Sequence, residues 1–353
     1  MDKVGELQKR PTLETVAIAA GVSKITASRA LRNSDLVRPE LRTKIAEAAQ
    51  RLGYRINAAA RNLRTQRTHT VAVVMENVVD GERNISDPLL LLMLGGMLEV
   101  LTPMGYAMLL TTKEHYFASS AIDPDGVILL GQGEDGHAVL EIAKRKLPTV
   151  VWGCADTRVT QSGQNDIYVI GSDNKLGGKL AAEHLLGLGR KRLLFLGDPA
   201  HPEVASRLQG VRDCLEQALI AAVHVVPCLF SHQSAVNAIK QLLLDGLSFD
   251  GVIAVSDYIA AGACDALIAH GIAIPSEVSV IGFDDVPLAA THNPPISSIR
   301  QDWSRGGRVL AETLLSMING DTIVSPPPLP VELVVRASTG AKELGVTARS
   351  AFP

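Results

Sequence analysis

Cysteine is scarce in this chain. Four thiols occur in 353 residues, Cys154, Cys214, Cys228 and Cys264, with no CxxC pair and no histidine at metal-ligand spacing from any of them. That excludes a disulfide scaffold and a zinc module, and predicts four buried, reduced thiols in a reducing compartment. The nine histidines are scattered without HExxH spacing. No Ser, Cys or His has a base and an orienting acid nearby in sequence, so nothing asks for catalysis. The N-terminus, MDKVGELQKRPT, lacks the apolar stretch of a secretory signal. The most apolar run, Leu89–Leu101, is broken by Gly95, Gly96 and Glu99 and is too short to span a bilayer. No leucine heptads follow Ala337, so a dimer is expected rather than a tetramer held by a C-terminal coiled coil. Together these absences predict a soluble, cytoplasmic protein with no cofactor, no metal and no membrane partner.

Charge is present but unevenly placed. Residues 1–69 hold 14 Lys/Arg and 6 Asp/Glu, a balance of +8, whereas the remaining 20 Lys/Arg and 31 Asp/Glu give −11. A basic front on an acidic body suggests a polyanionic partner for the front alone.

The front is organised around residues 12–35, TLETVAIAAGVSKITASRALRNSD. Thr12 is a candidate N-cap, and Leu13, Val16, Ala17 and Ala20 follow at one-face helical spacing. Gly21 ends that helix because it enters the left-handed conformation without steric cost. Ser23 caps a second helix, predicted from about Lys24 to Arg32. Its Ala27, Ala30 and Leu31 can pack on helix one, while Ile25, Ser28, Arg29 and Arg32 point away, with Lys24 leading. A small second helix with an outward basic and hydroxyl face fits a major groove. Arg38-Pro39 opens a third helix with the stripe Leu41, Ile45, Ala48, Ala49 and Leu52, and Gly53 ends it. Arg42 and Lys44 can lie along a phosphate backbone or face solvent. Asn57 can cap one or two further turns, 57–64, too short to persist alone in water.

The runs TLETVAIAAGVSKITASRAL and RPELRTKIAEAAQRLGYRINAAARNLRTQRT resemble the DNA-binding headpiece and hinge of the LacI/GalR family of bacterial transcription regulators, and within it the gluconate-repressor-like members. The likeness continues to about residue 337. Ile56 departs from the Pro usual in the family, which loosens the start of the hinge helix.

From Val71 onward strands and helices alternate, which predicts parallel sheets with helices on both faces. The expected fold class is α/β. An N-terminal three-helix helix-turn-helix domain and hinge helix precede two doubly wound lobes. The resemblance implies lobes of periplasmic-binding-protein type, with chain crossings near 189–191, 300–303 and 320–330. The expected boundaries are a headpiece over 1–56, a hinge helix and linker over 57–69, a two-lobed effector-binding and dimerisation domain over 70–337, and a tail over 338–353.

Gly131-Gln132-Gly133-Glu134-Asp135-Gly136 matches GxGxxG between a strand and a helix, with Asp156 twenty residues beyond Gly136. Glu134 and Asp135 would set two negative charges in a loop meant to cradle a pyrophosphate, so a plain glycine-rich loop is the better account. Stronger candidates stand at strand ends, where ligands of such sheets bind. Arg207 offers a five-donor fork to hydroxyls or a carboxylate. Ser256-Asp257 and Asp284-Asp285 follow strands, and a carboxylate accepting two hydroxyl bonds suits a polyol. The resemblance places Arg207, Ser256 and Asp284 at effector contacts, with Ser256 where several members carry Asn. Asp257 reads as a helix cap. Asp87 and Asp173, each before a helix (Asp173 beside Asn174), are effector candidates or simple N-caps. Trp152 or Phe283 could stack on a sugar face, Phe283 the better of the two, although core packing suits both.

The expected function is a ligand-responsive repressor that binds a pseudo-palindromic double-stranded operator as a homodimer. Lys24, Ile25 and Arg29 are expected to read base edges, since Arg and Lys pair with guanine and Ile can meet a thymine methyl. Thr12, Ser23, Thr26, Ser28 and Asn57 fit the remaining DNA contacts, chiefly phosphates. Hinge residues Ala60 and Leu63 would meet the minor groove, Leu63 prying a central step. A sugar, sugar acid or nucleoside in the interlobe cleft would set hinge order, with a mild preference for sugar acids because of Arg207. Two alternatives of other classes stand beside this: a soluble sugar-binding protein whose N-terminal helices mediate protein contacts, and a nucleotide-linked enzyme.

Overall fold

In the computed structural model, residues 11–31, 34–54, 67–76, 88–119, 123–132, 137–154, 167–220 and 223–340 are described. The chain divides into two compact units, Met1–Thr68 and His69–Pro353.

The first unit is built from α1 (Leu13–Ala20), α2 (Lys24–Ala30) and α3 (Pro39–Arg51). Thr12 caps α1 in a reciprocal box: its hydroxyl accepts from Thr15 N, and Thr15 Oγ1 accepts from Thr12 N. Gly21 closes the helix at φ 69°. Ser23 caps α2 by accepting from Thr26 N at 3.1 Å. Val16, Ala17, Ala20, Ala27, Ala30, Val37, Ile45, Ala48 and Ala49 form one buried cluster. Two details differ from the sequence reading. Leu52 is the C-cap residue of α3 and is 40% exposed, so it leaves the core stripe. Arg42 is held inside the unit, donating through Nη2 to the carbonyls of Ser34 (3.0 Å) and Val37 (3.2 Å).

The second unit contains two lobes. In the first, β1 (Thr70–Met75), β2 (Ala107–Thr112), β3 (Gly126–Leu130), β4 (Thr149–Trp152) and β5 (Ile167–Ile170) form a parallel sheet in the order β2-β1-β3-β4-β5. Its two faces bury alternate residues of β1. Val71, Val73 and Met75 join one cluster with Met93, Met97, Leu310 and Leu314, and Ala72 and Val74 join another with Tyr116, Val139 and Ile142. The covering helices are α4 (Pro88–Leu101), α5 (Lys113–Ala118), α6 (His137–Ala143) and, from the far end of the chain, α12 (Trp303–Asn319).

The second lobe has the order β11-β10-β9-β8-β6-β7, from β6 (Leu193–Leu196), β7 (His224–Val226), β8 (Gly251–Ala254), β9 (Ser279–Asp284), β10 (Ser297–Gln301) and β11 (Val331–Val334). All pairs are parallel except β10–β11. Its helices are α7 (Asn174–Gly187), α8 (Pro202–Gln217), α9 (His232–Leu244), α10 (Asp257–Ala269) and α11 (Pro287–Thr291).

The chain crosses between lobes at 171–173, at 301–303 and over 320–330. The last two match expectation, but the first replaces the crossing expected at 189–191. The reason is packing: Ala181, Ala182 and Leu185 of α7 are buried among Leu193, Leu194 and Val211 of the second lobe, so α7 already belongs there. The first and third crossings run together, with Leu329 N donating to the Gly171 carbonyl and Asp173 N to the Leu329 carbonyl.

In both lobes two helices meet through glycines. A Cβ on Gly178 of α7 would lie 1.9 Å from the carbonyl oxygen of Arg207 on α8, and one on Gly210 would lie 1.9 Å from that of Lys175. In the first lobe Gly96 and Gly307 stand equally close to Ser304 O and Met93 O, joining α4 to α12. Only a residue without a side chain lets two helix backbones come this near.

Cys214, Cys228 and Cys264 are buried, free thiols, while Cys154 is only half-buried. Burial pushes the Cys264 thiol up to about 12, which makes it chemically inert.

Candidate functional site

A cavity of about 320 Å³, including its mouth, opens where the lobes meet; it is lined by residues that include Trp152, Ser172, Asn174, Glu203, Arg207, Gln301 and Trp303. Trp152 ends β4, Ser172 follows β5, Gln301 ends β10 and Trp303 opens α12. These are carboxyl ends of strands and starts of the helices they feed, the position at which doubly wound sheets hold ligands.

Arg207 is 6% exposed and fixed on three sides. Its Nε donates to Asn174 Oδ1 at 2.8 Å, and its Nη1 donates to the Val255 carbonyl. Its guanidinium carbon lies 3.6 Å from the centroid of the Phe283 ring, close enough for the cation to be held by the ring face. Phe283 therefore supports Arg207 rather than lining the cavity. Alternation along β9 explains this: Phe283 turns toward α7, where a Cβ on Gly177 would come within 2.7 Å of its ring, and Gly282 turns toward α10. The aromatic side chains that do line the cavity are Trp152 and Trp303, with ring centroids 5.4 Å apart at 47°. Sequence position alone ranked Phe283 above Trp152.

Asp284 ends β9 with φ 99°, and its carboxylate accepts from Gln301 Nε2. It joins the site through that glutamine. Asp285 turns away into two ion pairs, each at 2.6 Å, with Arg300 and Arg336. Ser256 caps α10, its hydroxyl accepting from Ile259 N at 3.3 Å, and Asp173 caps α7 by accepting from Leu176 N at 2.9 Å. Both are helix caps here; the neighbour of Asp173, Asn174, lines the cavity. Asp257, expected as the cap, is instead the first residue of α10 and is fully buried. Ser298 Oγ donates to its Oδ1 at 2.6 Å and Val286 N to its Oδ2 at 2.8 Å. Burial, with the nearby Asp284 charge, pushes its carboxyl well above the usual range, against the pull of those two donors.

In the first unit, α2 leaves Lys24, Ile25 and Arg29 on its exposed side while Ala27 and Ala30 are buried. Ile25 is 65% exposed. A β-branched apolar side chain standing in solvent between two cations gains nothing from folding. The Ser23 and Thr26 hydroxyls sit 2.8 Å apart at the leading end, and Ser28 is half-buried. Asn57, Ala60, Leu63 and Asp87 lie outside the described residues, as do Arg32, Gly133–Gly136 and Asp156.

Residues 12–57 match the family of bacterial regulatory proteins named for lacI, and 182–339 match a periplasmic binding protein-like domain. The transcriptional regulator CelR of Thermobifida fusca is 32% identical over 96% of this chain and 100% of its own length. The regulator GntR of Pseudomonas aeruginosa is 33% identical over 96% and 98%. The chain belongs to the lacI family of bacterial regulatory proteins. This lacI-family protein is thus a DNA-binding, ligand-responsive transcriptional regulator, and the solute-binding alternative is set aside. Among solved structures, a CelR–cellobiose complex shares 30% identity, covering 93% of this chain and all of that one, with a TM-score of 0.66. A lac repressor dimer bound to operator and the anti-inducer ONPF superposes at TM-score 0.81 over 94% and 99%, at 22% identity, which supports the shared fold.

The regulator's sequence concealed several cavity residues. Ser172, Glu203, Gln301 and Trp303 lie in segments without a motif, and β5 and β10 escape a hydrophobicity scan because IYVI is short and SSIRQ is mostly polar. The usable signal was positional: Ser172, Gln301 and Trp303 are at, or just after, the end of a strand, and Glu203 stands in the first turn of the helix that follows one.

Proposed function

We propose that this regulator binds a pseudo-palindromic duplex as a homodimer, and that a sugar or sugar acid in the interlobe cavity sets its DNA affinity. The observation that carries the effector assignment is the pairing of two tryptophans with Arg207, Asn174, Glu203 and Gln301 around one cavity. Indole faces suit the C–H surface of a pyranose, and the polar set supplies both donors and acceptors for hydroxyls. Arg207 contacts the effector directly, and Asp284 acts on it through Gln301. Asp87, Asp173 and Ser256 act at its margin, and Phe283 acts through Arg207. A ligand changes DNA affinity only by preferring one lobe arrangement, and the three crossings are where lobe movement would be felt. The hinge over 57–69 transmits it.

On DNA, Lys24, Ile25 and Arg29 read base edges, while Thr12, Ser23, Thr26, Ser28 and Asn57 hold the backbone and Ala60 and Leu63 enter the minor groove. Two copies are needed because one headpiece offers little contact area. Leu91, Leu92 and Leu98 form an exposed apolar stripe on α4 that a second copy would cover. The effector leaves unchanged, a reading supported by the transcriptional regulators to which the chain is similar. The protein works in the cytoplasm, where its DNA is.

The chain has only two tryptophans, and both line the cavity. Their fluorescence is therefore a direct reporter. Titration with sugars, sugar acids and nucleosides should quench or shift it for one class, and the same compound should change operator affinity in an anisotropy assay. A chain whose fluorescence and DNA affinity ignore the whole panel does not carry this effector site.

A further inference from the structure

The leading ends of α1 and α2 lie side by side. Glu14, the second residue of α1, sets its Oε2 3.9 Å from Nζ of Lys24, the first residue of α2. The two side chains are 69% and 63% exposed. An ion pair this open adds little to stability, because water and salt screen it. Nor is the carboxylate needed by its own helix. Thr12 caps α1, and Thr15 closes the box with its hydroxyl, so no acid is required for capping. The helix dipole favours an acid anywhere in that first turn, but it does not call for one against Lys24.

What the pair faces is decided by α2. Lys24 stands with Ile25 and Arg29 on the exposed side of that helix, opposite the buried Ala27 and Ala30. An anion on that side opposes the approach of a polyanion, in a front otherwise rich in Lys and Arg. The opposition is offset only where the carboxylate meets a donor. Duplex DNA offers one in the major groove: the N4 amino group of cytosine, the usual partner of Glu or Asp. Guanine, in the same base pair, shows the acceptors O6 and N7, the usual partners of Lys. A G·C pair thus presents acceptors and a donor side by side, the complement of a cation and an anion 3.9 Å apart.

Resting on the assignment of α2 to base edges, we infer that Glu14 is a further specificity residue on DNA, reading one G·C pair together with Lys24. Its carboxylate accepts from the cytosine N4 amino group while Lys24 donates to the guanine. On other sequences the carboxylate finds no donor and repels acceptor edges and phosphates, which lowers affinity for unrelated duplex. One side chain on α1 thus widens the gap between the right sequence and the wrong one from both sides.

Selection by the full-length protein from a pool of duplexes with randomised, two-fold-symmetric half-sites tests this. The selected duplex and a scrambled one then serve as probes in an anisotropy assay. Lys24→Ala should blunt preference at one G·C pair of the half-site. Glu14→Ala should cut discrimination at that same pair roughly tenfold, the low end for a lost base contact, and bind the scrambled duplex more tightly than wild type does. Glu14→Gln keeps an acceptor oxygen and loses the charge, so part of the preference should stay while the scrambled duplex again binds more tightly. Discrimination is a ratio of affinities, so any change in the folded fraction cancels. A Glu14→Ala variant whose affinity changes equally on every sequence would show that Glu14 acts by charge alone and would overturn the inference. So would a Glu14 effect at a base pair that Lys24→Ala leaves untouched, or a selected half-site without a G·C pair that responds to Lys24→Ala. A wild-type protein that selects no half-site at all removes the α2 assignment itself.

Discussion

Asp257 offers the sharpest test of how the second lobe is held together. Its carboxylate is wholly buried at the start of α10 and takes two donors, Ser298 Oγ from β10 and Val286 N from the loop after β9. It thus joins three elements of the second lobe. Asp257→Ala strands both donors, at about 1–3 kcal/mol each, so the lobe should lose about 2–6 kcal/mol and several degrees of melting temperature. Asp257→Asn keeps an oxygen for Val286 N and a polar group for Ser298, and should cost much less. pH separates the two forms further. Burial raises the carboxyl's folded-state pKa above its unfolded value, so the folded protein keeps a proton that the unfolded chain releases. The associated stability is complete below the unfolded value, near 4, and is lost as pH rises toward the folded value. Asn releases no proton, so urea midpoints should move in favour of Asp257→Asn over wild type as pH climbs from about 4 toward neutrality. An Asn variant as damaged as Ala, or a difference from wild type that does not vary with pH, would refute this account of the buried carboxyl.

Three further outcomes are expected. Arg29→Ala should weaken operator binding roughly 10- to 100-fold and relax preference at one base position, with the effector isotherm unchanged; equal loss on scrambled duplex would assign Arg29 to the phosphate backbone instead. Gly178→Ala puts a methyl group into the Arg207 carbonyl, so α7 and α8 must part. About 1–3 kcal/mol of stability should go, and effector affinity should fall with it because Arg207 moves; thermal melts and fluorescence titration check both. Operator binding should weaken steeply with salt, because the Lys/Arg excess of residues 1–69 displaces counterions. A flat salt dependence in the gel shift would contradict a headpiece gripping phosphates.

Much of the architecture was legible before any coordinates. Helix caps are local chemistry, so Thr12, Gly21, Ser23 and Pro39 announce the headpiece helices within a few residues. The apolar runs of β1, from Val71, and of β3 and β8 announce strands buried on both faces, and hence parallel sheets under helices. Arg207 was also legible, as a cation on a helix following a buried strand. The cavity lining was not. Whether Phe283 or Trp152 meets a ligand depends on which face of its strand each side chain takes, and on which helix covers that face. Asp257 looked like a cap because a polar residue before an apolar helix usually is one; Ser256, one residue earlier, holds that role.

The sequence by itself determined the headpiece helices, the strongly apolar strands, the basic front and the family, because each is encoded in neighbours within a turn or a pleat. Only the tertiary structure decided that α12, from the end of the chain, covers the first sheet, and that Trp303 consequently stands beside Trp152. It also decided that Ser172, Arg207 and Trp303, from three different segments, line one cavity. Such meetings join residues far apart in the sequence, and what sets them is how closely helices can approach through glycine and which strand ends the crossings bring together.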